Sequence, residues 1–366
     1  MSFKDSDTRR EGYLNELEIE IRKEPINRWD ADKILQHPGR IGQLKAWYNE
    51  EEIMQPGPIM MGFHITNKCN EDCPDCSGWR EKIGANLSLP FPIAKIYLDE
   101  FKQMGGKALL FSGGGEPWMH KHATDMLEYA RYNGIRTAVI SNGTRFTEFD
   151  CSVIATECDW VRLSLDAGSR EIRKVSHGVD LWHKVMENME RMARMRSKTC
   201  TLGAGMLVDG RTISDCENFI KVVRDKGWDY AQFRPYQYLG NEWFDFDTWQ
   251  YLNGLCEKYS TDTLQVVCSG WRKMEERFYR TYDYCWGAHF RFDVNANQMC
   301  YPCCHVSGDP KNAHGKVEKE GDFVKIWQEK NMKKINVRKC LPYCIYHRMN
   351  TCLQRCMKEV PHKEWL

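Results

Sequence analysis

Six short apolar runs recur along the chain, and most are followed by a stretch in which apolar residues return every three or four positions. The runs are IMMGFHIT (59–66), KALLFS (107–112), RTAVIS (136–141), WVRLSL (160–165), TLGAGMLV (201–208) and YAQFRPY (230–236). Each is too short for a buried helix, and together they are rich in β-branched and aromatic residues, so each predicts a strand. Between them PIAKIYLDEFKQMGG (92–106), HATDMLEYARYNG (122–134), LWHKVMENMERMARM (181–195) and ISDCENFIKVVRDKG (213–227) keep a helical period. All but the third end at glycine, as helix C-termini tend to.

Strand and helix alternating in units of about 30 residues predict an α/β fold with a parallel sheet, curled into a partial six-unit β/α barrel. Residues 58–240 form this barrel. Residues 1–57 read as a polar helical segment, 241–284 as a helical linker, and 285–366 as a small cysteine-rich domain. Barrels of this kind carry their chemistry at the C-terminal ends of the strands.

Composition narrows the classes. A 42% hydrophobic content supports a real core, and 52 basic against 51 acidic residues leave no extended surface for phosphate backbones, so a nucleic-acid partner is not expected. The N-terminal stretch MSFKDSDTRREGYLNELEIEIRKE is charged throughout and lacks the apolar centre of a signal peptide. No run of about 18 apolar residues predicts a membrane span. The 17 cysteines are therefore read against a reducing cytoplasm, where clustered thiols mean metal or redox chemistry and not disulfides.

Three of them fall within eight residues, Cys69-x3-Cys73-x2-Cys76, directly after the first strand. A cluster of four irons is commonly held by four thiolates, so a loop with three leaves one iron open to a non-protein ligand. A zinc loop that recruits His64 is the alternative. After the second strand comes Phe111-Ser-Gly-Gly-Gly-Glu-Pro117, a loop in which glycines let the main chain approach a neighbour closely.

The cysteine spacing, followed one strand later by GGGEP, resembles the radical SAM superfamily. The resemblance implies a 4Fe-4S cluster on Cys69, Cys73 and Cys76, with S-adenosylmethionine (SAM) on the open iron. It assigns Gly114, Gly115 and Glu116 to the methionine part of SAM. Ser141 and Asn142 in VISNGT, and Ser164 and Asp166 in LSLDAG, match positions that face its ribose and carboxylate. Asp75 stands where the family usually has an aromatic residue, so adenine contact is assigned to Trp79.

From Cys285 onward eight more cysteines follow. Cys285 with Cys303 and Cys304, then Cys340-x3-Cys344-x7-Cys352-x3-Cys356, resemble the SPASM or twitch extension of these enzymes. Gln298 replaces the glycine usual there, and the later spacings are wider than the family's. The resemblance implies one or two auxiliary 4Fe-4S clusters on Cys285, Cys303, Cys304, Cys340, Cys344, Cys352 and Cys356. Structural zinc is the alternative for paired thiols. Cys151, Cys158, Cys200, Cys216, Cys256 and Cys268 read as core thiols.

The activity implied is reductive cleavage of SAM to a 5'-deoxyadenosyl radical, with a flavodoxin or ferredoxin as electron donor, and hydrogen abstraction from the substrate. Peptide-modifying members often carry a leader-binding domain before the barrel. The short helical segment at 1–57 therefore favours a small polar substrate, a sugar, aminocyclitol or nucleotide-type metabolite. A peptide maturase and a non-enzymatic iron-sulfur or zinc scaffold are the alternatives. Arg234 and Tyr236, with Tyr238, leave the sixth strand at the expected substrate mouth and are the candidate catalytic residues.

Overall fold

The computed structural model describes residues 31–52, 54–74, 76, 78, 86–235, 245–269, 280–330, 332, 335–340 and 344–358. The chain enters through a 3-10 helix (Ala31–Gln36) and α1 (Pro38–Tyr48). It then alternates through β1 (Met60–His64), α2 (Phe91–Gln103), β2 (Ala108–Phe111), α3 (Ala123–Tyr132), β3 (Arg136–Ser141), α4 (Glu148–Glu157) and β4 (Trp160–Ser164). Two helices follow, α5 (Arg170–His177) and α6 (Trp182–Met195), before β5 (Thr201–Val208), α7 (Cys216–Asp225), β6 (Tyr230–Pro235), α8 (Phe246–Tyr259) and β7 (Gln265–Cys268). The C-terminal part adds β8 (Arg291–Asn295), β9 (Met299–Tyr301), β10 (Gly315–Lys316), α9 (Asp322–Glu329) and α10 (His347–Met357).

The ten strands among the described residues belong to one sheet, in the order β10-β9-β8-β1-β2-β3-β4-β5-β6-β7. Pairing is parallel from β8 through β7, and only the β8–β9 and β9–β10 pairs are antiparallel, so β9 alone runs against the rest. The partial barrel is as expected, with two additions. The segment 241–284 holds α8 and a seventh parallel strand, β7, whose four residues are too few to show a period. The cysteine-rich segment also enters the barrel sheet, because β8 pairs with β1 over five residues and the sheet runs across position 284 without a break.

The faces of the strands differ in chemistry. One face of each strand (Met61 and Phe63, Leu109 and Phe111, Val161 and Leu163, Leu202, Ala204 and Met206, Phe233) is buried with the helices in the main core. Truncating one of these aromatic side chains to alanine costs about 3–5 kcal/mol. The opposite face carries Gly62, His64, Arg162, Ser164, Gly203, Gly205, Gln232, Arg234, Arg291 and Asp293. In ordinary parallel sheets both faces are apolar. Here that face sets polar groups beside apolar Leu110, Ala138 and Ile140, which suits a ligand chamber.

Two packing features position the ends. Tyr97 and Phe101 of α2 meet Phe323 and Phe292, so α9 is locked onto the barrel. Leu44 of α1 shares an apolar cluster with Ile34, Trp286, Phe290, Leu353 and Met357, which ties the N-terminal helix to α10. No described helix is long and apolar enough to cross a membrane.

Candidate active site

The cysteine loop leaves β1 and is clipped inward by its polar residues. Asn70 Nδ2 donates to Thr144 Oγ1 at 2.9 Å, and Asn142 Nδ2 donates to Asn70 Oδ1 at 3.1 Å, joining the loop to the end of β3. Glu71 turns into the protein, where Oε1 accepts from Arg173 Nη2 at 2.8 Å and Oε2 meets His177 Nδ1 at 2.7 Å. The amide of Asp72 donates to the His177 carbonyl at 3.0 Å. Cys69, Cys73 and Cys76 are half-buried and form no disulfide.

The helix that receives the loop is built for that task. α5 starts on Ser169, whose hydroxyl caps Ile172 N, and ends on Gly178 at φ 73°. A Cβ at Gly178 would lie 2.2 Å from the Asp72 carbonyl, so glycine is needed where α5 meets the loop. His177 Nε2 lies 3.4 Å from Asp166 Oδ2, and Nδ1 lies 3.6 Å from Cys73 Sγ. Burial pushes the His177 pKa down, but Asp166, Cys73 and Glu71 outweigh it and hold the ring charged. Burial likewise pushes the Glu71 carboxyl up, and His177 and Arg173 bring it below its ordinary value. Glu71, Cys73 and His177 have ligand-type atoms within 4.8 Å of one another. The first and last already satisfy each other as an ion pair, so this group is a brace and not a metal site.

The glycine loop after β2 packs directly on the cysteine loop. Gly115 N donates to Thr66 O at 3.0 Å and Glu116 N to Lys68 O at 2.8 Å. A Cβ on Gly115 would stand 2.1 Å from the Lys68 carbonyl, and one on Gly113, at φ 132°, would stand 2.4 Å from the His64 side chain. Gly78, two residues past Cys76, also approaches the Gly114 carbonyl, with 2.7 Å left for a Cβ. The glycines of this motif thus serve the contact between two loops of the chain itself.

Glu116 is buried and its carboxylate accepts from Ser141 Oγ at 2.7 Å, Asn142 N at 2.8 Å and Trp118 N at 3.1 Å. Burial pushes its carboxyl up to about 7 despite these donors. Three of its four acceptor positions are thereby filled from within the chain. Its structural work is to bind the end of β2 to the end of β3 and to position Ser141 and Asn142.

On the other side of the lumen, Ser164 ends β4 half-buried. Asp166 adopts a left-handed conformation, φ 52°, and accepts from Leu207 N at 2.6 Å as well as facing His177. Arg234 projects from β6 beside Arg162 of β4. Trp79, Tyr236 and Tyr238 lie outside the described residues. The polar network at the strand ends therefore includes Glu71, Arg173 and His177, and Arg162 stands beside Arg234; motif reading passed over all but Arg234. Glu71 and His177 had no signal beyond their place in the loop and before a glycine, whereas Arg162 could have been found as a charged residue alternating with buried Val161 and Leu163 in WVRLSL.

The C-terminal thiols divide into three groups. Cys285 is buried among Tyr282, Met332, Val337 and Tyr346, with Cys303 and Cys344 packed on the same cluster. Burial pushes the Cys285 thiol up to about 12, and Cys344 and Cys340 are close enough to add to the effect. Cys303 is raised by burial and then by neighbouring Cys304 and Cys285. Thiols crowded in this way resist ionisation by themselves and ionise when a metal takes them. Cys352 and Cys356 stand one turn apart on α10, against the cluster that holds α1. Cys300 lies in the main core, with Tyr97 Oη 3.3 Å from its sulfur. Cys151, Cys158, Cys200 and Cys216 are buried core thiols, and Cys256 and Cys268 pack against the same core.

These sites fit the groups expected of them. The loop offers three cysteines outside any disulfide in eight residues, beside a glycine loop at the strand ends, as an iron-sulfur cluster with one open iron requires. Residues 63–223, which carry both loops and strands β2 to β5, match the Radical SAM superfamily. The chain is 29% identical over 117 residues to the Fe-coproporphyrin III synthase of Methanosarcina barkeri, a stretch covering 30% of this chain and 29% of that protein. It is 24% identical over 137 residues to the mycofactocin maturase MftC of Mycobacterium ulcerans, covering 37% of each. The aligned stretches thus span about a third of these curated relatives. Over most of its length the fold is that of Streptococcus suis SuiB bound to its precursor peptide SuiA, with a TM-score of 0.61, 12% identity, and coverage of 89% of this chain and 77% of that one. The three-thiol loop, the glycine loop seated on it and the family match place residues 63–223 of this chain in the radical SAM superfamily.

Proposed function

We propose that this chain is a radical SAM oxidoreductase that abstracts a hydrogen atom from a peptide and uses C-terminal auxiliary iron-sulfur chemistry to complete an oxidation. The observation that carries the reading is the seating of the cysteine loop. Its Asn70 and Glu71 side chains are tied into the protein, to Thr144 and Asn142 and to Arg173 and His177, and three half-buried cysteines stand within eight residues beside the glycine loop. When bound, the cluster and SAM supply a 5'-deoxyadenosyl radical after one electron arrives from a flavodoxin or ferredoxin.

The chain's own residues contribute position and exclusion of water. Cys69, Cys73 and Cys76 would hold the cluster. Gly115 and Gly113 let the loop above it close down, and Glu116 places the Ser141–Asn142 turn beside it. Cys285, Cys303, Cys304, Cys340 and Cys344 form the thiol set best gathered for an auxiliary cluster.

A peptide substrate is favoured over the small polar metabolite that the short N-terminal segment points to. Support comes from SuiB, described with its precursor peptide, and from MftC, described as a maturase. The test is anaerobic reconstitution with iron and sulfide, reduction in the presence of SAM, and quantification of 5'-deoxyadenosine. Reconstituted protein that consumes no SAM would overturn the enzymatic reading and favour a metal scaffold.

A further inference from the structure

We propose that Arg162 and Arg234 form a carboxylate-binding subsite in the barrel lumen, which holds an acidic group of the substrate. The inference deepens the radical SAM reading and rests on it only for the word substrate. β5 presents Gly203 and Gly205 to the lumen; the Tyr230 ring covers Gly203, and the floor at Gly205, between β4 and β6, has no side chain of its own. A Cβ at Gly205 would lie 3.2 Å from Arg234 Nη2 and 3.4 Å from Arg162 Cδ, so the two arginines flank one spot.

Their charge is poorly matched. Arg162 Nη1 donates to neutral Gln232 at 3.0 Å, and the buried Nε of each arginine has no hydrogen-bond partner. The acid beside them, Asp166, is already engaged by Leu207 N and the charged His177. Burial, and then repulsion from Arg234, lowers the Arg162 pKa to about 9. A pair of half-buried cations whose buried Nε groups lack partners is costly and calls for a counter-ion. The planar guanidinium fork fits a carboxylate with two parallel hydrogen bonds.

Placement gives the subsite its use. Asp166 links the arginines to His177, and His177 stands 3.6 Å from Cys73. A ligand anchored by its carboxylate at β4 and β6 would extend across the lumen toward the cysteine loop. SAM also has a carboxylate, and the experiment separates the two sources.

Succinate, with neutral succinamide as control, is titrated calorimetrically into the reconstituted full-length protein, the R162Q and R234Q variants and their double variant. The expected result is succinate binding by the wild type, weakened at least about tenfold in each single variant, with no binding of succinamide. Equal succinate binding in all four proteins, or none in the wild type, overturns the subsite. SAM affinity, measured by the same method, should stay within about twofold in both variants, and a loss of tenfold or more would assign the carboxylate to SAM and overturn the substrate role. The melting midpoint should be unchanged or raised in R162Q and R234Q, because an unmatched charge is removed; a lowered midpoint in both would make the pair a structural strut. None of these readouts needs 5'-deoxyadenosine, so failure here and failure of the radical reading are told apart.

Discussion

Glu71 and Arg173 meet at 2.8 Å with both side chains 1% exposed, and this ion pair joins the cysteine loop to α5. Removing one partner leaves a buried charge uncompensated, which costs about 3–5 kcal/mol. Glu71→Ala and Arg173→Met should each destabilise the protein by that order in urea titrations, with a double variant milder than the sum. Iron bound after reconstitution should fall in both, because the loop loses its anchor. Full iron retention in a folded Glu71→Ala protein would show that the brace is dispensable to the cluster.

The C69A/C73A/C76A variant should lose about four irons per chain and all 5'-deoxyadenosine formation, while C-terminal iron remains. Iron analysis and chromatography of reduced, SAM-treated protein check both halves. Residual SAM cleavage would remove these thiols from the site.

Glu116 gives a pH dependence of defined sign. Its carboxyl is raised from 4.5 to about 7, so the folded state holds the proton longer than the unfolded state. The stabilisation is complete below pH 4.5 and is lost as pH rises through 7. Relative to Glu116→Gln, the wild type should therefore lose on the order of 3 kcal/mol between these limits. Denaturant titrations at several pH values test this, and parallel curves for the two proteins would contradict it.

Gly115→Ala would put a methyl group 2.1 Å from the Lys68 carbonyl, a backbone atom that cannot swing aside. The two loops must then part, and SAM affinity and cluster content should both drop. Gly227→Ala is the control, since φ is 67° there but no atom lies within 4 Å, and it should cost only about 1 kcal/mol. Comparable behaviour of the two variants in melting and iron assays would mean that loop contact is unimportant.

Among the C-terminal cysteines, Cys285→Ala and Cys344→Ala should each remove about four irons, whereas Cys300→Ala should remove none. Cys300 is enclosed in the main core beside Tyr97, away from the thiols around Tyr346. Iron content that falls equally in all three variants would place Cys300 in the metal site.

Local features were legible where periodicity or spacing carried them. The alternation in WVRLSL specifies a strand with Val161 and Leu163 inward to the helices, and the same alternation marks Arg162 as a lumen residue. CNEDCPDC and GGGEP are readable because their chemistry depends on thiols and glycines at short fixed distances. β7 was missed because four residues hold only two periods of alternation, and burial on β6 decides the matter instead.

By itself the sequence determined the number of thiols in each loop, the strand-helix rhythm and the position of both loops at strand ends, since these depend on neighbours within a few residues. Only the tertiary structure decided that β8, more than two hundred residues from β1, closes on its free edge, where an unpaired row of amides and carbonyls needs a partner. It also decided the partners of Glu71, 102 and 106 residues away, and the meeting of Arg162 with Arg234 across Gly205. Such contacts follow from the pairing order of strands and the packing of helices, and no local pattern encodes which distant charge will arrive.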